Sequence, residues 1–296
     1  MKKTKMTKRS RAEARWGLLM IAPTMVGLFI LNFIPIFQTI WLSMCKTGDF
    51  GLGNVFVGLE NYEKLIHDRE VWQALLNTFK YSAVQVPLAI IIPLILAVLL
   101  NRKMKGRTVY RTIFFLPMIC APAAVAMVWK WMYNADYGLL NKILNVKIDW
   151  TTNPRIAWIS VAIIGVWSAI GNNMILFLGG LQDIPKDYYE AARIDGSTGI
   201  HSFFHITVPL LSPMIFFVVQ TGIIGALGLF DLPYMIMDRS SRAFKYVESV
   251  EYLFYHYSFE LSNRGYGASI VIFMLLIIGA ITWLVQKSEK KWVFYG

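Results

Sequence analysis

Charge is what this sequence has least of. Asp, Glu, Lys and Arg together make up 16% of its 296 residues, where a soluble globular protein carries about 25%. Apolar residues reach 56% and the mean hydropathy is +0.50, so several segments facing lipid account for the chain better than one large core. Cysteine is scarce as well: Cys45 and Cys120 stand far apart with no metal or redox spacing and read as buried, inert thiols. No GxxxxGK[ST] phosphate loop occurs, which removes the usual means of binding ATP. HExxH and GxSxG are missing too, and no acid–base pair suggests a catalytic residue. Of the four histidines, His201 and His205 stand four apart and share a helix face. They lack the intervening Glu and a third ligand, so a surface pair is expected and no metal site.

What is present is a series of long uncharged runs. Gly17 to Met44, Tyr81 to Leu100, Ile113 to Trp129, Ile156 to Leu181, Leu210 to Phe230 and Ala268 to Gln286 contain no formal charge. A helix needs roughly 20 apolar residues to cross the hydrocarbon core. The third run is short, but Trp131 and Tyr133 beyond Lys130 extend it as an interfacial aromatic belt. The first is far longer than a signal-peptide core and no small-residue cleavage site closes it, so it reads as a retained helix. The expectation is an all-α integral membrane protein with six transmembrane helices. Residues 1–16 form a basic tail, 17–286 the six-helix domain, and 287–296 a second tail.

The net charge of +11 is uneven. Lys2, Lys3, Lys5, Lys8, Arg9, Arg11 and Arg15 precede the first run; Arg102, Lys103, Lys105, Arg107 and Arg111 follow the second; Lys287, Lys290 and Lys291 follow the sixth. The positive-inside rule makes that face, with both termini, cytoplasmic. The loop 238–267, with Arg239, Arg242, Lys245 and Arg264, is a poorer fit to the outside. These cations flank membrane helices, where they meet anionic lipid, and nucleic acid is not an expected partner.

The spans are not smooth. Pro23 and Pro35, Pro87 and Pro93, and Pro117 and Pro122 interrupt the first three, either as packing kinks or because the helices line a cavity. Gly222, Gly225 and Gly228 mark either a helix contact or a clear patch on a cavity wall. Tyr81, Gln85, Trp167, Ser168, Asn172, Asn173 and Gln220 are polar or amphipathic groups inside spans, where they are costly in lipid. As a set they suit an uncharged, hydroxyl-rich ligand; singly, each also suits an interhelical hydrogen bond.

The stretch 182–213 reads QDIPKDYYEAARIDGSTGIHSFFHITVPLLSP. Asp187 is expected to cap a short helix through Arg193, with Glu190 in its early turns. Asp195-Gly196 makes a turn, a second short helix offers Phe203, Phe204 and Ile206 as apolar contacts, and Pro209 leads into the fifth span. An apolar face of this kind needs a partner surface. The spacing of Glu190-Ala191-Ala192, Gly196, Ile206 and Pro209 matches the EAA motif, so the chain resembles the permeases of binding-protein-dependent ABC importers. Val208 stands where that family usually has leucine.

Further likenesses point to the carbohydrate branch, maltose-type. They are Leu59-Glu60-Asn61-Tyr62 after the first span, Phe230-Asp231 with Tyr234 after the fifth, and Lys290-Lys291-Trp292-Val293 at the end. The branch's usual GGP is replaced by Arg239-Ser240-Ser241. The resemblance implies a type I importer fold whose coupling helix lies between helices 4 and 5. It implies a pore shared with a second homologous permease subunit, and an ATPase dimer that binds the ATP and Mg, leaving no cofactor in this chain. An external or periplasmic solute-binding protein delivers the ligand, and the site is a bacterial or archaeal cell (inner) membrane. The function expected is import of a sugar or oligosaccharide. The same architecture for a glycerophosphodiester, polyol or other solute stays open. A secondary transporter is weaker, since no ionisable residue sits at mid-membrane and no inverted repeat is evident.

Overall fold

The structure is a computed structural model that describes residues 8–48, 53–102 and 104–294. Helix α1 (Lys8–Leu28) passes through a wide π turn (Phe29–Phe33) into α2 (Ile34–Ser43). Strands β1 (Cys45–Thr47) and β2 (Asn54–Phe56) pair antiparallel, Cys45 opposite Phe56, and α3 (Glu60–His67) follows. Next come α4 (Arg69–Asn101), α5 (Arg107–Ile119), α6 (Pro122–Met132), α7 (Leu139–Leu144) and α8 (Ala157–Asp183). Helices α9 (Lys186–Ile194), α10 (Gly199–Ser202) and α11 (Val208–Leu210) form an arm that leads into α12 (Ser212–Leu227). The chain closes with α13 (Asp231–Ile236), α14 (Val250–Tyr255) and α15 (Arg264–Trp292).

Among the described residues, four spans are long and apolar enough to cross a membrane: 12–43, α4, α8 and α15. Two bent pairs, α5 with α6 and 199–210 with α12, bring the number to six if each pair is one span. The third expected helix is therefore not continuous. Cys120 and Ala121 are extended, Pro122 opens α6, and the two halves meet at 105°. A residue before proline is biased away from the helical region, and Pro122 at the first helical position starts α6 without losing a bond. The expected limits at 16 and 286 are not element ends, because α1 begins at Lys8 and α15 continues through Lys290 and Lys291 to Trp292.

One compact unit takes in the chain up to His67 together with Tyr257–Ile272. Asn61 is its knot: the side-chain amide donates to Ser43 O at 2.9 Å and Cys45 O at 2.8 Å. Tyr62 shares a 2.6 Å hydroxyl bond with Ser43. The Leu59–Tyr62 motif is thus a device for docking α3 onto the end of α2.

The second unit, 68–256 with 273–296, is built on the α4–α8 pair. Asp68 caps α4 by accepting from Glu70 N at 2.9 Å, and the helix runs 33 residues through Pro87 and Pro93. Small residues let the partners approach. At Gly165 a side chain would meet the Tyr81 ring, and at Gly171 it would meet the α5 backbone at Phe114. The pair is pinned by Asn173, which donates to Ala89 O at 2.7 Å. A core of Leu94, Ala97, Met174, Phe177, Leu181 and Leu211 fills one end, and Phe203 of the arm packs against it.

Candidate functional site

The arm owes its shape to three backbone devices. Pro185 precedes α9, and Asp187 falls in the first turn instead of capping it, because no side chain accepts at the N-cap. Asp187 there still favours the positive end of the helix dipole. At the other end, Ser197 N donates to Ala192 O at 2.8 Å and Gly196 N to Arg193 O at 3.1 Å. This paired closure requires a left-handed residue just past the C-cap, and Gly196 has φ +77°. The four-residue interval from Ala192 to Gly196 is therefore the length of a glycine-terminated helix end. Asp195 is the C-cap. Thr198 then caps α10, accepting from His201 N at 3.3 Å.

The third device is a π turn, Phe203–Thr207, in which Val208 N donates to Phe203 O five residues back. Pro209 follows at once, as Pro35 follows Ile34, whose N–H reaches Phe29 O. A proline clashes with the carbonyl four residues back, and widening the turn before it relieves that clash. Ile206 lies within this turn and is half-buried. Tyr189 and Thr207 tie the two halves together through their hydroxyls at 3.0 Å.

The arm has two faces. Phe203 turns inward, whereas Tyr188, Ile194, Ile200 and Phe204 are exposed, Ile194 at 87% and Ile200 at 75%. Phe204 is thus an outward group, and its ring meets that of Phe203 edge-on at 4.9 Å. Ala191 is exposed with them, and so is Glu190, one position back. His201 and His205 stack at 3.9 Å on the same exposed stretch, and no group of three or more His, Cys, Asp or Glu among the described residues could hold a metal ion.

A cavity of about 210 Å³ lies among α4, α8 and α12. Its polar wall brings Tyr81, Gln85, Asn172, Asn173 and Thr221 together, with Gly222 and Gly225 on the α12 side and no charged residue in the lining. Gly225 has nothing within 4 Å of where a side chain would begin, so it opens the wall and makes no helix contact. Gly228 is the C-cap of α12 and does not line the cavity. Gln85 donates weakly to Gly165 O at 3.5 Å, and its buried Oε1 has no partner.

The structure does not bring Trp167, Ser168 or Gln220 into this cavity. Trp167 instead packs edge-on against Trp129 at 5.6 Å, next to the Tyr133–Trp150 stack. Residue 167 is turned away from 169, 172 and 173 on the 3.6-residue helix, whereas Ser168, one turn before Asn172, stands at the edge of their face. Thr221 lines the cavity in place of its neighbour Gln220, the more polar of the two and the one that stands out in the sequence.

The loop after α13 is held by Asn77, which donates to Lys245 O at 2.9 Å and Glu248 O at 3.1 Å. Phe230, Tyr234 and Tyr255 form an aromatic cluster, and Arg239 lies 5.0 Å over the Tyr234 ring. Burial pushes the Glu248 carboxyl up to about 7, with Glu70 adding to the effect and Lys245 opposing it.

Residues 89–293 match the family described as binding-protein-dependent transport system inner membrane component. The trehalose/maltose transport system permease protein MalF of Thermococcus litoralis is 33% identical over 94% of this chain and 95% of its own. The sn-glycerol-3-phosphate transport system permease protein UgpA of Salmonella typhimurium is 29% identical over 95% and 97%. Among solved structures, a bacterial alginate ABC transporter in complex with alginate pentasaccharide-bound periplasmic protein shares the fold. Its matching chain has a TM-score of 0.83 at 18% identity, covering 94% of this chain and 96% of that one.

Proposed function

This chain belongs to the binding-protein-dependent transport system inner membrane components, as a multi-pass permease subunit of an ABC importer, and from that premise we propose that its solute is a sugar or oligosaccharide. The observation that carries this reading is the cavity wall of Tyr81, Gln85, Asn172, Asn173 and Thr221. Neutral donors and acceptors match hydroxyl groups, and the free Gln85 Oε1 accepts from one. The resemblance to a trehalose/maltose permease agrees. Glycerol 3-phosphate, the solute of another relative, is an anion, and the cavity offers it no cation.

The arm 182–213 is the coupling element. Its exposed apolar face of Tyr188, Ile194, Ile200 and Phe204 is a surface for a separate ATPase subunit, two of which drive the pore. Glu190, Ala191, Ala192, Asp195, Gly196, Phe203, Ile206 and Pro209 shape it. A second homologous permease completes the pore, and a binding protein docks on the outer face. The basic segments set both termini in the cytoplasm.

Asn172→Ala separates transport from packing. One lost hydrogen bond of about 0.5–1.5 kcal/mol should raise the half-saturating sugar concentration roughly 2- to 10-fold with insertion unchanged. Trp167→Ala, outside the cavity, should instead lower the amount of folded protein. Unchanged uptake in Asn172→Ala and in Gln85→Leu would make the cavity a packing void.

A further inference from the structure

A second hollow in the second unit is separate from the polar cavity. It has a volume of about 630 Å³ and lies between the end of α4 and the inner side of the arm. Its wall has two characters. Val98 and Leu181, from the last turns of α4 and α8, make one part apolar. Arg102, Lys186 and Arg193 bring three cations to the rest, against the single carboxylate of Glu190. None of the three cations has an ion-pair partner among the described residues. Ser197 and Ser202 add hydroxyls, 3.0 Å apart, on the far side.

Lys186, Tyr189, Glu190 and Arg193 all line this hollow, and their spacing of three and four puts them on one face of α9. Ala191 is left for the opposite side with Tyr188, and Ile194, one turn beyond Glu190, lies at the edge between the two. Glu190 therefore shares this hollow with its own chain's cations. A surplus of positive charge beside apolar walls, at the ends of two transmembrane helices, has the chemistry of a site for an anionic lipid headgroup.

We propose that this hollow binds the phosphodiester headgroup of an anionic phospholipid, with Arg102, Lys186 and Arg193 on the phosphate and Val98 and Leu181 against the first acyl carbons. A bound lipid there braces the arm from behind, on the face that the exposed apolar groups do not use. The inference stands apart from the identity of the solute and depends only on the chain being a membrane permease. The phosphate chemistry has a second source, a soluble phosphate, which the test distinguishes.

The test is native mass spectrometry of the full chain purified in mild detergent with phosphatidylglycerol or phosphatidylcholine. The wild type should retain phosphatidylglycerol selectively. Arg102→Gln with Arg193→Gln should weaken retention by roughly 30-fold, at about a few-fold per cation removed near the surface. Arg102→Lys with Arg193→Lys keeps the charge and should keep the lipid, which guards against a folding defect. Lys147→Gln, which removes a cation paired with Asp136 at 4.0 Å and away from the hollow, should leave retention alone. Retention that resists millimolar inorganic phosphate supports the lipid. Displacement by inorganic phosphate would overturn the lipid assignment in favour of a soluble anion. Equal retention of the two lipids, or of phosphatidylglycerol by wild type and the glutamine variant, would overturn the site altogether.

Discussion

At the scale of single residues, Gly196 has the sharpest demand placed on it. Its φ of +77° comes with open space around it, nothing lying within 4 Å of an added Cβ. Any penalty on substitution is thus backbone strain and not a clash, about 1–3 kcal/mol for a side chain held left-handed and worst for a β-branched one. Gly196→Val should insert normally yet lose most ATP-driven uptake, while Gly196→Asn, which tolerates this region, should lose much less. Uptake and membrane content measured together decide it, and equal uptake in both variants would remove the turn from the mechanism. Glu248 makes a second demand, through pH. Its carboxyl stands at about 7 instead of the ordinary 4.5, because of burial first and Glu70 second, so the native state holds a proton that the unfolded chain releases. That stabilising contribution is full below 4.5 and is lost as pH rises through about 7. Glu251 is raised in the same direction by burial and adds to the slope. Lys245 opposes the change, and Arg239 and Arg242 line the same hollow as Glu248 and Glu70. Glu248→Gln should flatten the melting temperature between pH 4.5 and 7, and an unaltered slope would acquit the residue.

At the scale of elements, the arm is a short helix, a glycine reversal, and a π turn relieved of its proline. Its apolar outer face is the part that the proposed ATPase docking covers. Burying a large aliphatic side chain is worth about 1.5–3 kcal/mol, so Ile194→Glu should weaken co-purification of the ATPase roughly 10- to 100-fold with insertion intact. Undiminished co-purification would put the docking surface elsewhere. Much of this element was legible in the sequence: Glu190 to Pro209 carries the motif, and Asp195-Gly196 announces the turn. What was not legible depended on neighbours. Asp187 looks like a cap until Pro185 takes the position before the helix. Phe203 and Phe204 are equivalent in sequence, and only the core of Leu94, Met174 and Leu211 decides which one turns inward. The break at Cys120–Ala121 was signalled by Pro122, but no composition rule separates a kink from a 105° bend. Trp167, Ser168 and Asn172 share one apolar run, and only the rotation of α8 against α4 sends Asn172 to the cavity and Trp167 to Trp129.

At the scale of the whole molecule, a low share of charge, six uncharged runs and the lack of a phosphate loop describe a permease that borrows its energy. The same features explain why the solute is read from a handful of neutral groups around one small cavity. The most direct test of the account is uptake by proteoliposomes carrying this chain with its partner permease and ATPase. Labelled oligosaccharide is supplied on its binding protein, with ATP inside. The account predicts accumulation that requires both ATP and the binding protein, and that unlabelled sugar abolishes while sn-glycerol 3-phosphate does not. Accumulation that continues without ATP, or that glycerol phosphate blocks and sugar does not, would contradict it.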